Sequence, residues 1–165
     1  MTRFVFLFIS ILTVLFGLEM IEDVHVSVVE PFTGYVASVS AALLVPFDEA
    51  VVSYGRVLQH SGNGFAVSIE AGCNGVEAMI VLFAAIIAFP ATWKQRVTAL
   101  VLGFFAVQIM NILRIISLFY IGQWNMEAFG WMHLYLWPVM IMLDVLVVFF
   151  VYLRWIAQPA EGAAA

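Results

Sequence analysis

The sequence predicts an all-α polytopic membrane protein. It has about four transmembrane helices and a small extracytoplasmic segment with an interfacial helix and a β-hairpin. Three observations carry this. Hydrophobic residues make up 65% of the 165 and charged residues 10%, with mean hydropathy +1.08, whereas soluble domains run at roughly 45–50% apolar and about 25% charged. Apolar runs recur at about the length a span requires. Four of the six basic residues, Arg3, Lys94, Arg96 and Arg154, fall at alternate ends and connections of those runs. Eleven acids and six bases give a net charge of −5 with no basic cluster, so nucleic-acid binding is not indicated. One cysteine excludes an internal disulfide framework and a Cys-cluster zinc site.

The chain reads as one membrane-embedded domain, 1–165, with spans at about 4–21, 74–90, 97–121 and 134–156 and an extracytoplasmic insert at 22–72. Phe4 to Ile21 follows Arg3 and leads into Glu22, Asp23, Val24 and His25 rather than a small-x-small cleavage site, so it reads as an uncleaved span. The second run, Val76 to Phe89, starts at about Asn74 and is closed by Pro90. It is short against the ~20 residues of a typical span. Val97 to Ile121 and Leu134 to Ile156 follow, and the tail from Gln158 to Ala165 reads as frayed. With four spans, Arg3, the pair Lys94 and Arg96, and Arg154 share one side, the cytoplasm by the positive-inside rule. Tyr35 to Phe47 competes as a fifth span, which would turn Arg3 outward. Its thirteen residues are better read as an interfacial or re-entrant helix. Phe65, Val67 and Ile69 alternate with Ala66, Ser68 and Glu70, a strand pattern, and Val51 to Gln59 is placed to pair with it across Ser61-Gly62-Asn63-Gly64.

Ionisable residues inside spans are costly and mark function by default. Cys73 opens the second span at the outer face, and His133 opens the fourth there. Arg114 lies seven residues before the outer end of the third span, roughly 10 Å below the boundary at 1.5 Å per residue. Topology thus puts a thiol, a guanidinium and an imidazole in one leaflet. A helix N-terminus and a nearby Arg114 would favour the thiolate. Arginine holds an oxyanion through fixed N–H donors. Histidine can take the thiol's proton and pass it to a leaving amine. These are the parts of a cysteine acyl-transfer site. Glu77 is spaced to share a helix face with Cys73; Asn111 precedes Arg114 by three and Gln108 precedes Asn111 by three. His133, Trp137, Met140 and Asp144 form a stripe that would set Asp144 below Arg114. The bland alternative is a non-enzymatic membrane scaffold or subunit of an envelope assembly system, with Arg114 held in an ion network by Glu77 and Asp144. No metal or cofactor is expected, since His25, His60 and His133 share no ligand spacing.

The block from Glu70 to Met79, Glu-Ala-Gly-Cys-Asn-Gly-Val-Glu-Ala-Met, resembles the nucleophile motif of the exosortase/archaeosortase family. Asn111-Ile112-Leu113-Arg114-Ile115-Ile116 resembles its second motif, and His133 matches the third. Together with Leu118-Phe119-Tyr120-Ile121-Gly122-Gln123-Trp124, the chain looks most like exosortase H, in the form of a minimal core without the extra spans or soluble domain of larger members. The resemblance implies a membrane-embedded cysteine protease/transpeptidase that works through a thioacyl-enzyme. Cys73 would be nucleophile, Arg114 transition-state stabiliser and His133 general acid/base, with Asn74, Glu77, Asn111 and Asp144 in support. It implies substrates that are exported proteins with a C-terminal signal: a short motif of the Ile-Pro-Thr-Leu type, a transmembrane helix and a basic tail. It also implies a bacterial cytoplasmic (inner) membrane, with both termini cytoplasmic and the site facing the periplasm.

Overall fold

The computed structural model describes residues 2–158, so the tail expected to fray, apart from Gln158, lies outside them. Five helices and a small sheet run in chain order: α1 (Thr2–Glu19), α2 (Glu22–Leu44), β1 (Val51–Tyr54), β2 (Val57–His60), β3 (Ala66–Ser68), α3 (Val76–Ala88), α4 (Trp93–Trp124) and α5 (Met126–Ile156). The chain is a polytopic all-α membrane protein. Four helices, α1, α2, α4 and α5, are long and apolar enough to cross a membrane, and α3 is a shorter apolar helix of 13 residues. Exposed Val, Leu, Phe and Met side chains cover the outer faces of α1, α4 and α5, the surface a bilayer solvates.

The turn between α3 and α4 is written in the sequence. Pro90 forces Phe89 into extended backbone (φ −80, ψ 137), which ends α3. Thr92 then starts α4 with a capping box, its hydroxyl accepting from the Gln95 N–H while the Gln95 side chain accepts from the Thr92 N–H. One core joins α3, α4 and α5 through Leu82, Ile86, Ala99, Val107, Val145 and Tyr152. A Cβ on Gly103 would stand 2.7 Å from Leu82 Cδ2, so glycine sets the approach of α3 to α4. Phe4 of α1 meets Phe89 (5.8 Å between rings), and Arg96 donates to the Phe89 carbonyl (3.2 Å). Arg3, Lys94, Arg96 and Arg154 therefore gather at one end of the bundle.

The sheet caps the opposite end. α4 has 32 residues, about 48 Å at 1.5 Å per residue, and outreaches a ~30 Å hydrocarbon layer. Its protruding end carries the sheet: Phe119 meets Phe65 at 5.9 Å, Asn63 Nδ2 donates to Gln123 Oε1 at 2.7 Å, and the Tyr120 hydroxyl donates to Asp48 at 3.3 Å. A second core of Val36, Ala37, Ala41, Leu44, Val51, Leu58, Ile69, Ile115 and Phe119 ties α2, the sheet and α4 together. The stretch 35–47, read as an interfacial or re-entrant helix, is the second half of the continuous helix α2 and the turn after it. Phe32 meets Phe104 and Leu44 reaches the Phe119 cluster. α2 thus runs alongside the C-terminal half of α4, in the same direction.

The strand prediction needs one correction. Val51 to Gln59 is not a single strand but a hairpin, β1 and β2 turning at Gly55 (φ 54) and Arg56. β2 then pairs antiparallel with β3 across the Ser61–Gly64 turn, Leu58 opposite Val67, to give the order β1-β2-β3. A positive-φ glycine in an otherwise β-prone run is what breaks it.

Candidate active site

The segment Glu70 to Gly75 joins β3 to α3, and two left-handed glycines shape it, Gly72 (φ 80) and Gly75 (φ 82). The Cys73 N–H donates to the Glu70 carbonyl at 2.9 Å. Asn74 is 1% exposed. Its Oδ1 accepts from the Val76 N–H at 2.9 Å, closing the first turn of α3, and its Nδ2 donates to Thr33 Oγ1 of α2 at 3.0 Å. Cys73 lies three residues ahead of the helix, so it does not share a helical face with Glu77 as the spacing suggested. The Glu77 carboxylate instead turns back and accepts from the Gly72 N–H.

α4 delivers the next groups from one face. Arg114 is 6% exposed; Nη1 donates to the Gly72 carbonyl at 2.8 Å and Nη2 to Cys73 Sγ at 3.2 Å. Gln108 Nε2 donates to the Asn74 carbonyl and to Met79 Sδ, both at 3.4 Å. Asn111 lies against Gly75, where a Cβ would come 2.8 Å from Gln108 Nε2 and 3.4 Å from the Asn111 amide. Only glycine offers both the left-handed backbone and this closeness. The amide atoms of Asn111 and the Arg114 Nε are buried without a partner.

His133 sits in a widened turn of α5, Met132–Leu136, where the Trp137 N–H reaches back five residues to the Met132 carbonyl. Pro138 comes next after Trp137; proline cannot donate to the preceding turn, and such widened turns recur at functional sites. The imidazole stacks on Phe129 (5.6 Å, 3° between planes), and its Nδ1 is buried without a partner. The extra residue in this turn rotates the rest of α5. Its buried stripe becomes Trp137, Ile141 and Val145, so Met140 and Asp144 do not continue the face of His133. Asp144 Oδ2 has no partner, and among the described residues the ion pairs are Arg56–Glu70 and His60–Asp48. Neither Glu77 nor Asp144 pairs with Arg114.

Cys73, Arg114 and His133 line one cleft of about 370 Å³, walled by β3 and the Glu70–Ala71 segment on one side and by Met126 and Phe129 of α5 on the other, with Ile115 and Leu118 at its base. A second cleft of about 220 Å³ lies on the far side of Arg114, lined by Glu77, Asn111, Pro138 and Ile141 among others. Burial pushes the Cys73 thiol up from its ordinary range, and the Arg114 charge and hydrogen bond pull it only part of the way back. The thiolate expected from a helix terminus and an arginine is therefore not the resting form. Burial outweighs the arginine, and the sulfur is not on the helix.

Sequence reasoning missed Thr33 and Phe129. Phe129 stands four residues before His133, a helical spacing that could have found it; nothing local marks Thr33.

The transmembrane exosortase family (Exosortase_EpsH) matches residues 1–156, and the chain belongs to that family. No curated protein and no solved structure gives a match.

Proposed function

We propose that the protein is a membrane-embedded cysteine protease/transpeptidase that cleaves C-terminal sorting signals of exported proteins. The observation that carries this is Arg114, which holds the Gly72 carbonyl and the Cys73 sulfur together in the cleft that His133 also lines. Family membership supports the same reading. The basic end of the bundle faces the cytoplasm of a bacterial inner membrane, and the cleft faces the periplasm. The substrate's transmembrane helix docks beside the bundle with its basic tail on the cytoplasmic side.

Because burial keeps the thiol protonated, attack needs a base. His133, which lines the same cleft, takes the thiol proton as sulfur bonds to the scissile carbonyl carbon. Arg114 holds the developing oxyanion. The C–N bond breaks as the proton passes to the leaving amine, leaving a thioester on Cys73. Water or an acceptor amine then resolves it. Asn74, Glu77 and Gln108 hold the Gly72–Gly75 backbone that presents the thiol, and Asn111 packs against Gly75. Asp144 stands apart from both clefts, and we assign it no step. The scaffold alternative lacks its ion network, since Arg114 pairs with neither Glu77 nor Asp144.

The test is co-expression of a secreted reporter ending in an Ile-Pro-Thr-Leu segment, a transmembrane helix and a basic tail. A reporter shortened with wild type, but intact with a Cys73→Ala variant that still accumulates in the membrane, is the expected result. Equal processing by the two proteins overturns the reading.

A further inference from the structure

β3 is an open edge. It pairs with β2 on one side and, among the described residues, with no strand on the other. The pairing fixes which groups are free. His60 N–H bonds the Phe65 carbonyl and Ile69 N–H bonds the Arg56 carbonyl, both at 2.9 Å. Phe65, Val67 and Ile69 therefore direct their backbone groups to β2. By the alternation of an antiparallel ladder, Ala66 and Ser68 direct N–H and C=O away from it. That edge borders the cleft: residues 65 to 71 form one wall, and Met126, Phe129 and His133 the other. Unpaired edges are usually shortened, charged or covered. This one is three residues long and is followed by Glu70, which accepts from the Ser68 hydroxyl. The two residues whose backbone groups are free, Ala66 and Ser68, are small and uncharged, and Cys73 stands five residues beyond Ser68.

We propose that the substrate segment ahead of the cleaved bond binds extended along β3, as a fourth strand of the sheet. The inference rests on the acyl-transfer reading above and specifies how that site holds its peptide. Main-chain bonds to Ala66 and Ser68 supply affinity, as in other strand-addition complexes. Direction follows from topology. An exported substrate passes from outside into its membrane helix, and β3 passes likewise through Cys73 into α3, so the added strand is parallel to β3. Its inward side chains, two residues apart, face the apolar base of Ile115 and Leu118 and the ring of Phe129. Gly122 lets the Phe65 and Phe129 rings pack against α4 at this end of the cleft: a Cβ there would strike the ring of Phe65 and come within 3.1 Å of Phe129. Both aromatic walls thus seat on one glycine of α4.

The experiment has two arms. Ser68→Pro removes one edge N–H and leaves the bonds to β2 intact, a substitution edge strands accept. It is expected to lower reporter processing about tenfold, the scale of a lost hydrogen bond, while alkylation of Cys73 by iodoacetamide is unchanged. In the second arm the enzyme is wild type, so folding is not at issue. Synthetic peptides spanning the mapped cleavage site carry one N-methyl group at each successive residue before the bond. Loss of processing at every second residue is expected. A flat or monotonic profile, or full processing by Ser68→Pro, overturns strand addition while Cys73-dependent cleavage still stands. A reporter left intact by wild type overturns the parent reading and this one together.

Discussion

The two halves of α4 present the same helical stripe in different chemistries. Towards the basic end the buried positions are Ala99, Gly103 and Val107; beyond them come Gln108, Asn111 and Arg114, then Leu118 and Phe119. The first half packs through apolar contacts, with Gly103 against Leu82. A largely apolar cleft of about 430 Å³ opens beside Ala99 and Gly103, and Arg96 Nε and the Tyr152 hydroxyl are buried there without a partner. The second half carries polar groups that a bilayer cannot solvate, so they turn inward: Gln108 and Arg114 donate to the Asn74 and Gly72 carbonyls, and Asn111 packs against Gly75. Gln108, Asn111 and Arg114 each keep at least one buried atom without a partner, and Asn111 and Arg114 line the clefts. In lipid, association comes from close packing and interhelical hydrogen bonds rather than from expelling water. One half of α4 uses the first device for stability, and the other uses the second to hold a thiol.

That contrast can be broken from either side. Arg114→Ala should lower processing by about 10²–10³-fold, the usual effect of removing an oxyanion donor, and Arg114→Lys should not restore it, since one ammonium cannot reach both the Gly72 carbonyl and the sulfur. Initial rates on the reporter check this, and near-normal rates with Ala would remove Arg114 from the chemistry. Gly103→Val strikes the apolar half. It should destabilise the bundle by about 1–3 kcal/mol through overpacking, seen as a lower melting temperature in detergent, with processing per folded molecule unchanged. Gly75→Ala sits where the halves meet and should cost roughly 1–2 kcal/mol for its left-handed backbone. Unlike Gly103→Val it should also slow processing, because it displaces Gln108 and Asn111 from the thiol's turn.

The smallest effect concerns the thiol alone. Burial raises its pKa, so less thiolate is present near neutral pH than for a free cysteine. Alkylation by iodoacetamide should be slow there and climb through and beyond the ordinary thiol range. Arg114→Ala removes a charge that favours the thiolate, so its profile should move further alkaline. A midpoint below that of free cysteine would contradict the burial argument.

Much of this was legible in the chain. Hydropathy and the positions of Arg3, Lys94, Arg96 and Arg154 determined a polytopic bundle with one basic end, because bilayer insertion depends on local composition and charge. The motif around Cys73, with Arg114 and His133 on later helices, determined which groups meet at the opposite end, because helix length and topology fix depth. The alternation of Phe65, Val67 and Ile69 determined a strand. Tertiary structure decided the rest. Gly55 split one expected strand into two and left β3 as the edge beside the cleft. The widened turn before Pro138 rotated α5, so Asp144 left the face of His133. Glu77 turned to the Gly72 N–H rather than to Arg114, and burial overrode the arginine at the sulfur. The first three are local backbone rotations, at Gly55, at the turn before Pro138 and at Gly72, which a count of helical or strand period passes over. The burial of Cys73 is set by neighbours distant in sequence, which spacing along a single helix cannot encode.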